Sequence, residues 1–354
     1  MASDSSPAPT ASLRARWEAL REAQPGIRAR DAAERLGVSE AELAQAAVGE
    51  TMVRLEGDPG AMIEALGTLG RVMALTRNAS IVHERWGTYE EIHANAMHVL
   101  VLGPDIDLRI FPRQWRHAYA YDSGPSARRR MRGLQFFDAA GVAVHKVYLG
   151  DTSDLDAYAA LVNAFRAPVQ DVPVVAEAPP GPPEGRRPDD VDAFLEGWAS
   201  MTDTHDFFGL LHEHRTDRLP ALECALGRFV REVSADVFET LLRRASDERQ
   251  ELMVFVGNRG CIQIHTGPVQ RIVNLPKAPA PVEWLNVLDP DFNLHARAPD
   301  VARAFVVTKP TEDGDVTSVE LYDEAGRTLA QIFGPRKPGI PEQPSWRRLV
   351  AGLA

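Results

Sequence analysis

The sequence predicts an α+β fold made twice: a tandem duplication of a module with a large antiparallel β-sheet flanked by helices. Three observations predict it. First, strings recur at a nearly fixed offset. Leu102-Gly103-Pro104-Asp105-Ile106-Asp107-Leu108-Arg109 returns as Leu288-Asp289-Pro290-Asp291-Phe292-Asn293-Leu294-His295, and Phe137-Asp138-Ala139-Ala140-Gly141 returns as Tyr322-Asp323-Glu324-Ala325-Gly326. These offsets are 186 and 185, while Trp17 with Trp198 gives 181 and Asn78 with Asn258 gives 180. An offset near half of 354 residues means two copies of one unit, and a short insertion accounts for the drift. Second, each half places helical composition first and many short apolar runs after it. Tight turns separate those runs without crossover helices, which requires antiparallel pairing. Third, residues 168–190, PVQDVPVVAEAPPGPPEGRRPDD, hold seven prolines. Proline continues neither a helix nor a central strand, so this stretch reads as the linker where the repeat needs one.

The elements follow in order. Residues 1–12 are rich in Ser, Pro and Ala and are expected to be disordered. In the first repeat, 13–167, helices are expected at 13–24, 29–36 and 39–48, with a turn at 57–60. Strands are expected at 70–75, 80–85, 98–102, 108–111, 115–121, 133–137 and 144–148, and a helix at 154–165 closes the repeat. In the second repeat, 191–354, helices are expected at about 190–214, 218–230 and 235–245. Strands then run through 252–256, 261–266, 269–275, 284–288, 292–295, 303–308, 316–322 and 328–333.

Composition bounds the function classes. Hydrophobic content of 44% and charged content of 25% are those of an ordinary soluble globular chain. A net charge of −11 argues against nucleic acid or an anionic membrane as partner. Cys224 and Cys261 are far apart and form no CxxC, which points to a reducing compartment without a zinc ribbon. The first residues lack the apolar core of a signal peptide, and no apolar run approaches the ~18 residues of a membrane span. A cytoplasmic protein is expected.

Several signals resemble chemistry. Asp31 to Leu43 has the spacing of a helix-turn-helix, with Ala33, Gly37 and Leu43 in the small, turn and apolar places, and Ser39 with Glu42 forms a capping box. Its second helix carries Glu40, Glu42 and Gln45 and no cation, so it would repel phosphates. His212-Glu213-His214 lacks the HExxH spacing that puts two imidazoles on one helical face, and His93 with His98 has no third ligand nearby. No phosphate-binding glycine loop and no GxSxG elbow is present. His205 stands apart. The apolar positions 194, 198, 201 and 208 leave it on the inward stripe of a continuous helix. There it is either a core histidine bonded to a carbonyl or a neutral imidazole serving as axial ligand to a planar metal macrocycle. The offset of 181 places Gln24 at its position in the first copy.

These residues resemble the HemS/HmuS/ChuS-type hemin-degrading and heme-trafficking proteins of bacterial heme uptake. The resemblance runs from about residue 13 to residue 350. It is carried by Thr76-Arg77-Asn78, Val82-His83-Glu84, Leu102 to Phe111, Thr202-Asp203-Thr204-His205-Asp206-Phe207-Phe208, Lys309 to Gly314 and Phe333 to Gly339. It implies a pseudo-twofold duplication with heme b lodged beside the second half and His205 as proximal iron ligand. It also implies Arg109 as distal hydrogen-bond donor with Phe111 packed near the same face. Arg218, Lys309, Gln331 and Arg336 match propionate-side and rim positions. Two buried carboxylates need cations and donors at the pocket mouth, so the residue types fit that role. His83 matches a position suspected as a second heme contact, although a strand histidine facing solvent explains it equally. The residues around Ala330 do not reproduce a tyrosine that some members carry.

The resemblance implies a cytoplasmic protein that receives imported heme and supports its oxidative opening, releasing iron. No flavin or nicotinamide fingerprint is present, so the reductant would be external. A heme chaperone or storage carrier without turnover shares every binding residue. A heme-responsive DNA-binding regulator using the helix-turn-helix-like segment is a third reading. The expected partners are heme, the cytoplasmic side of a heme ABC transporter and an electron donor.

Overall fold

The structure, a computed structural model, describes residues 12–124, 130–277, 282–336 and 339–354. Most of the segment expected to be disordered, residues 1–11, lies outside them, as do Lys337 and Pro338 of the last family string. The first half runs α1 (Leu13–Ala23), α2 (Ala29–Leu36), α3 (Glu40–Ala46), β1 (Met52–Leu55), α4 (Pro59–Leu66), β2 (Val72–Arg77) and β3 (Ile81–Gly87). It continues through β4 (Ile92–Ala94), β5 (Val99–Leu102), β6 (Asp107–Ile110), β7 (His117–Asp122), β8 (Arg132–Phe137), β9 (Ala143–Leu149) and α5 (Leu155–Phe165). The second half repeats this order with α6 (Val191–Ala199), α7 (Asp206–Glu213), α8 (Arg218–Cys224), β10 (Val230–Val233), α9 (Val237–Asp247), β11 (Leu252–Gly257) and β12 (Cys261–Gly267). Then come β13 (Ile272–Lys277), β14 (Val282–Leu288), β15 (Phe292–Arg297), β16 (Arg303–Lys309), β17 (Val316–Tyr322), β18 (Thr328–Phe333) and α10 (Pro344–Ala351).

The duplication produces two nine-stranded antiparallel sheets, and each is a composite. One has the order β1-β7-β8-β9-β2-β3-β15-β14-β13, the other β10-β16-β17-β18-β11-β12-β6-β5-β4. Three strands of each half therefore complete the sheet of the other. The seams are β3 with β15, where Val82 opposes His295, and β12 with β6, where Ile262 opposes Arg109. The repeated asparagines clasp the two sheets. Asn78 accepts from Ser80 N and Ile81 N in its own turn and donates through Nδ2 to Leu329 O at 2.8 Å. Asn258 does the same for Gly260 N and Cys261 N and donates to Val144 O at 2.8 Å.

Alternation assigns the faces. Val254, Val256, Val319, Leu321 and Ile332 turn to an inner core with α9, α10 and the borrowed hairpin residues Phe292 and Leu294. On the outer face of the second sheet, α6, α7 and α8 bury Phe194, Trp198, Phe207 and Leu222 against Val230, Phe305, Val307 and Tyr322. The equivalent cover over the first sheet is α3, whose Ala41 and Ala44 pack on Tyr119 and Phe137. The Ser39–Glu42 capping box is present in both directions.

Two local expectations are corrected. The turn expected at 57–60 starts α4, because Asp58 accepts from Ala61 N at 2.9 Å and Pro59 occupies the first turn. The single helix expected over 190–214 is two helices. Asp206 Oδ2 accepts from Thr202 N at 3.1 Å and Asp203 N at 2.9 Å, so the polar run after Ala199 forms a turn. Residues 168–188 form neither helix nor strand, and Gln170 and Glu177 tie this stretch to Arg54 and Ala139 of the first half.

Candidate functional site

Apart from His83, the side chains singled out in the sequence gather on the outer face of the second sheet. In β6, Leu108 and Ile110 are buried toward the inner core, so Arg109, between them, faces outward beside Ile262. Gln331 of β18 opposes Phe255 on one side and Glu320 on the other, so these three share that face. Phe255 and Phe333 meet there with ring centroids 5.1 Å apart. The result is a half-buried apolar strip of Phe255, Ile262 and Phe333, bounded by Arg109 at one side and by a charged cluster under α7 and α8 at the other.

That cluster is built around Glu320, which is fully buried. Arg218, the first residue of α8, forks onto it with bonds of 2.8 and 2.6 Å, Tyr322 Oη donates at 2.7 Å, and Lys309 Nζ lies 3.6 Å away. Burial alone would raise the Glu320 carboxyl, but Arg218 and Lys309 hold it well below the usual carboxylate range. For Arg218, burial opposes the charge and Glu320 more than restores it. Burial and the neighbouring Arg218 push Lys309 down to about 8 despite Glu320. Phe207 of α7 roofs both cations, 5.0 Å from the Arg218 guanidinium and 4.6 Å from Lys309 Nζ. Two cations against one carboxylate leave one positive charge on a water-poor face, which favours an anion.

His205 does not point inward. Its side chain is 93% exposed and sits at the N-cap of α7. The helical period is broken between Ala199 and Asp206, so Phe207 takes the inward place while Phe208 is 78% exposed. Asp203 Oδ1 accepts from His205 N at 2.7 Å and lies 2.5 Å from His205 Nδ1. With Nδ1 donating to that carboxylate, Nε2 keeps its lone pair and is the nitrogen free to ligate a metal. Those bonds from His205, first the backbone one, hold the Asp203 carboxyl below its ordinary value. Arg336, just beyond β18, donates to Thr204 Oγ1 at 3.0 Å and anchors the loop to the sheet. From β18 to β6 there are three strand spacings, roughly 14 Å at ~4.8 Å each. That width suits a planar amphiphile lying across the strip with anionic groups at one end.

The other expected residues divide. Phe111 follows β6, half-buried, and its N donates to Gly260 O at 3.0 Å. His83 is elsewhere: it is fully buried on the inner face of the first sheet, 5.0 Å from the Phe292 ring, facing neither solvent nor the strip. The partner of His205 in the other copy also changes. Helix by helix, α2 answers α7, so the N-cap of α2, Arg28, occupies the place of His205 and Gln24 does not. Sequence reasoning missed Asp203, Phe207, Phe255 and Glu320. Asp203 and Phe207 lay within the Thr202–Phe208 string that carries the resemblance, and Glu320 stood out as the one carboxylate of β17.

The chain matches the model of the haemin-degrading HemS/ChuX domain twice, over residues 37–165 and 215–353. It is 38% identical over 346 residues to the hemin transport protein HmuS of Yersinia pestis, covering 97% of each chain. Among solved structures it resembles holo-PhuS, a heme-binding protein from Pseudomonas aeruginosa, with 43% identity, a TM-score of 0.90 and 97% and 98% of the two chains covered. It also resembles the heme degrading enzyme ChuS of Escherichia coli O157:H7, with 37% identity, a TM-score of 0.88 and coverage of 96% and 98%. The fold is that of the duplicated α+β proteins of heme utilisation. The chain belongs to the haemin-degrading HemS/ChuX family.

Proposed function

We propose that this protein binds heme on the outer face of the second sheet, with His205 as axial ligand, and supports its oxidative opening during bacterial heme uptake. The observation that carries the reading is the Asp203–His205 pair, which leaves Nε2 bare beside a strip flanked by Arg218, Lys309 and Arg336. The strip takes the apolar ring, and the excess charge around Glu320 takes the carboxylates. Arg109, held by Asp107, stands across the strip and offers hydrogen bonds to an oxygen ligand on the far side of the ring. Electrons would come from an external donor, and delivery from the cytoplasmic face of a heme transporter. No helix among the described residues is long and apolar enough to cross a membrane.

The test is a hemin titration read at the Soret band. His205→Ala should abolish the imidazole-ligated spectrum and weaken binding. Unchanged affinity and spectrum in that variant would remove His205 from the iron. The exposure of His205 favours a second reading, a carrier that loads and unloads heme without turnover. Reductant and air separate the two: loss of the Soret band in the presence of catalase supports ring opening, and a persistent band supports the carrier.

A further inference from the structure

The first sheet has its own version of the charged cluster, with the charges exchanged between helix and sheet. Arg218 opens α8, and Glu40 opens the equivalent helix α3. Glu320 of the second sheet is answered by Gln135, and Gln331 by Lys146, as the pairing of Gln135 with Lys146 mirrors that of Glu320 with Gln331. In the first half the buried carboxylate is therefore on the helix and its two cations are on the sheet. Glu40 is ion-paired to Arg77 and lies 3.3 Å from Lys146 Nζ. Burial would raise the Glu40 carboxyl, but Lys146 and Arg77 bring it down to about 2. The sum is again two cations and one anion.

This cluster lines a cavity of about 1310 Å³ beneath α1 and α2, with Trp17 and Tyr148 among its walls. Arg28, which replaces His205, stands at the cavity, close enough to act on Glu84 and His295. Arg30, also lining it, donates to Ala79 O at 2.8 Å, and burial and Arg77 depress its pKa more than Glu40, Asp31 and Glu34 restore it. His295 occupies the place of Arg109, with Nδ1 bonded to Asn286 Oδ1 at 2.7 Å and Nε2 3.9 Å from Glu84. Arg28 offers a guanidinium where the other half has its imidazole, which suits an organic anion and does not ligate iron, while His295 keeps Nδ1 on Asn286 and turns Nε2 toward the Glu84 carboxylate.

We propose that the first-half cavity is a second binding site, for a metal-free, open-chain tetrapyrrole dicarboxylate. Lys146 and Arg77 would receive one carboxylate and Arg28 and Arg30 the other, while Trp17 and Tyr148 pack on the pyrrole rings. The choice of a tetrapyrrole rests on the heme reading given above, since such a chain is what opening of the ring leaves. The two halves would then hold the closed and the opened form of one molecule on equivalent faces.

The probe is biliverdin, titrated into full-length protein already loaded with one equivalent of hemin. Binding is read by induced circular dichroism in the long-wavelength band of biliverdin, and the hemin site is read at the Soret band in the same sample. A saturable signal at one equivalent is expected. Arg30→Ala, at a half-buried surface position, and Lys146→Met should each weaken it about tenfold, the loss of one charge-assisted hydrogen bond. Both should leave the hemin titration unchanged. No saturable signal, a signal equal in wild type and both variants, or displacement by further hemin would each overturn the proposal. Failure of hemin to bind would instead count against the reading of the second-half face.

Discussion

Asp203 fixes which nitrogen of His205 is free. Its Oδ1 lies 2.5 Å from Nδ1 and also accepts the His205 backbone N–H at 2.7 Å, so tautomer and ring orientation are set by one carboxylate. Outer-shell partners of this kind commonly contribute 10–100-fold to metal affinity. Because this pair is open to water, the lower end applies. Asp203→Ala should weaken hemin binding about tenfold, and Asp203→Asn, whose amide oxygen still accepts from Nδ1–H, should weaken it less. Soret titrations of the three proteins decide. Equal affinities would show that the tautomer does not depend on Asp203.

Lys309 should make hemin binding depend on pH. Burial and Arg218 bring it down to about 8 in the free protein, and a bound carboxylate would raise it again. A group whose pKa rises on binding takes up a proton with the ligand, so affinity falls as pH climbs above about 8. Wild type and Lys309→Met should be titrated with hemin from pH 7 to pH 9.5. The decline should be steeper in wild type, since the variant has no proton to take up at this position. Parallel curves would exclude Lys309 from the binding step.

Much of this site was legible in the sequence, and the illegible parts have physical causes. Arg109, Gln331 and Lys309 were named through the family resemblance, and period-two alternation accounts for the shared face on which the structure puts them. The inward orientation expected for His205 failed because helical phase does not survive a turn, and Ser200 to Asp203 form one. The solvent-facing alternative for His83 fails, because solvent is the destination of a polar strand residue only where nothing covers its face. Here the duplication places a second sheet against that strand, and no local pattern announces it. The sheet composition was equally hidden, since antiparallel neighbours in sequence suggest hairpins within a repeat and say nothing of an edge completed from the other one.

Glu320 should be the most costly charge to remove from the binding face. It is fully buried with Arg218, Lys309 and Tyr322 around it, and Glu320→Ala leaves two buried cations uncompensated. Breaking such an arrangement typically costs ~3–5 kcal/mol. Its folded pKa is depressed, so its contribution is present above the unfolded value near 4.5 and is lost as pH falls through that value toward the folded one. Thermal unfolding should show a lower midpoint for Glu320→Ala at pH 7 and a smaller further drop on acidification. A midpoint matching wild type at pH 7 would mean that the cations are solvated by another route.

Arg109→Ala should separate binding from chemistry. The guanidinium is about one-third exposed and engaged by Asp107, so its removal leaves the apolar strip and His205 intact. Hemin affinity should be retained. If Arg109 donates to an oxygen ligand in the rate-limiting complex, loss of ~1.4 kcal/mol there lowers the ring-opening rate about tenfold. Stopped-flow decay of the Soret band under reductant and air measures it, and a wild-type rate in the variant would sink the distal role.

The composite sheets predict what an isolated half does. Expressed alone, residues 191–354 carry β10 to β18, yet β13, β14 and β15 belong to the sheet of the absent half, and β12 loses its neighbour β6. An unpaired β12 edge and a detached three-stranded hairpin are both templates for further pairing. The duplication supplies the partner, because β15 is the equivalent of β6 and can take its place beside β12 of a second copy. Two isolated second halves should therefore exchange hairpins and form a symmetric dimer with two complete sheets. In that dimer His295 stands where Arg109 stood, so hemin should bind with the His205 ligand but without the arginine across the strip. Sedimentation of residues 191–354 would show a dimer of half-chains, whereas a stable monomer with a cooperative unfolding transition would show that six strands make a sufficient sheet without the exchange.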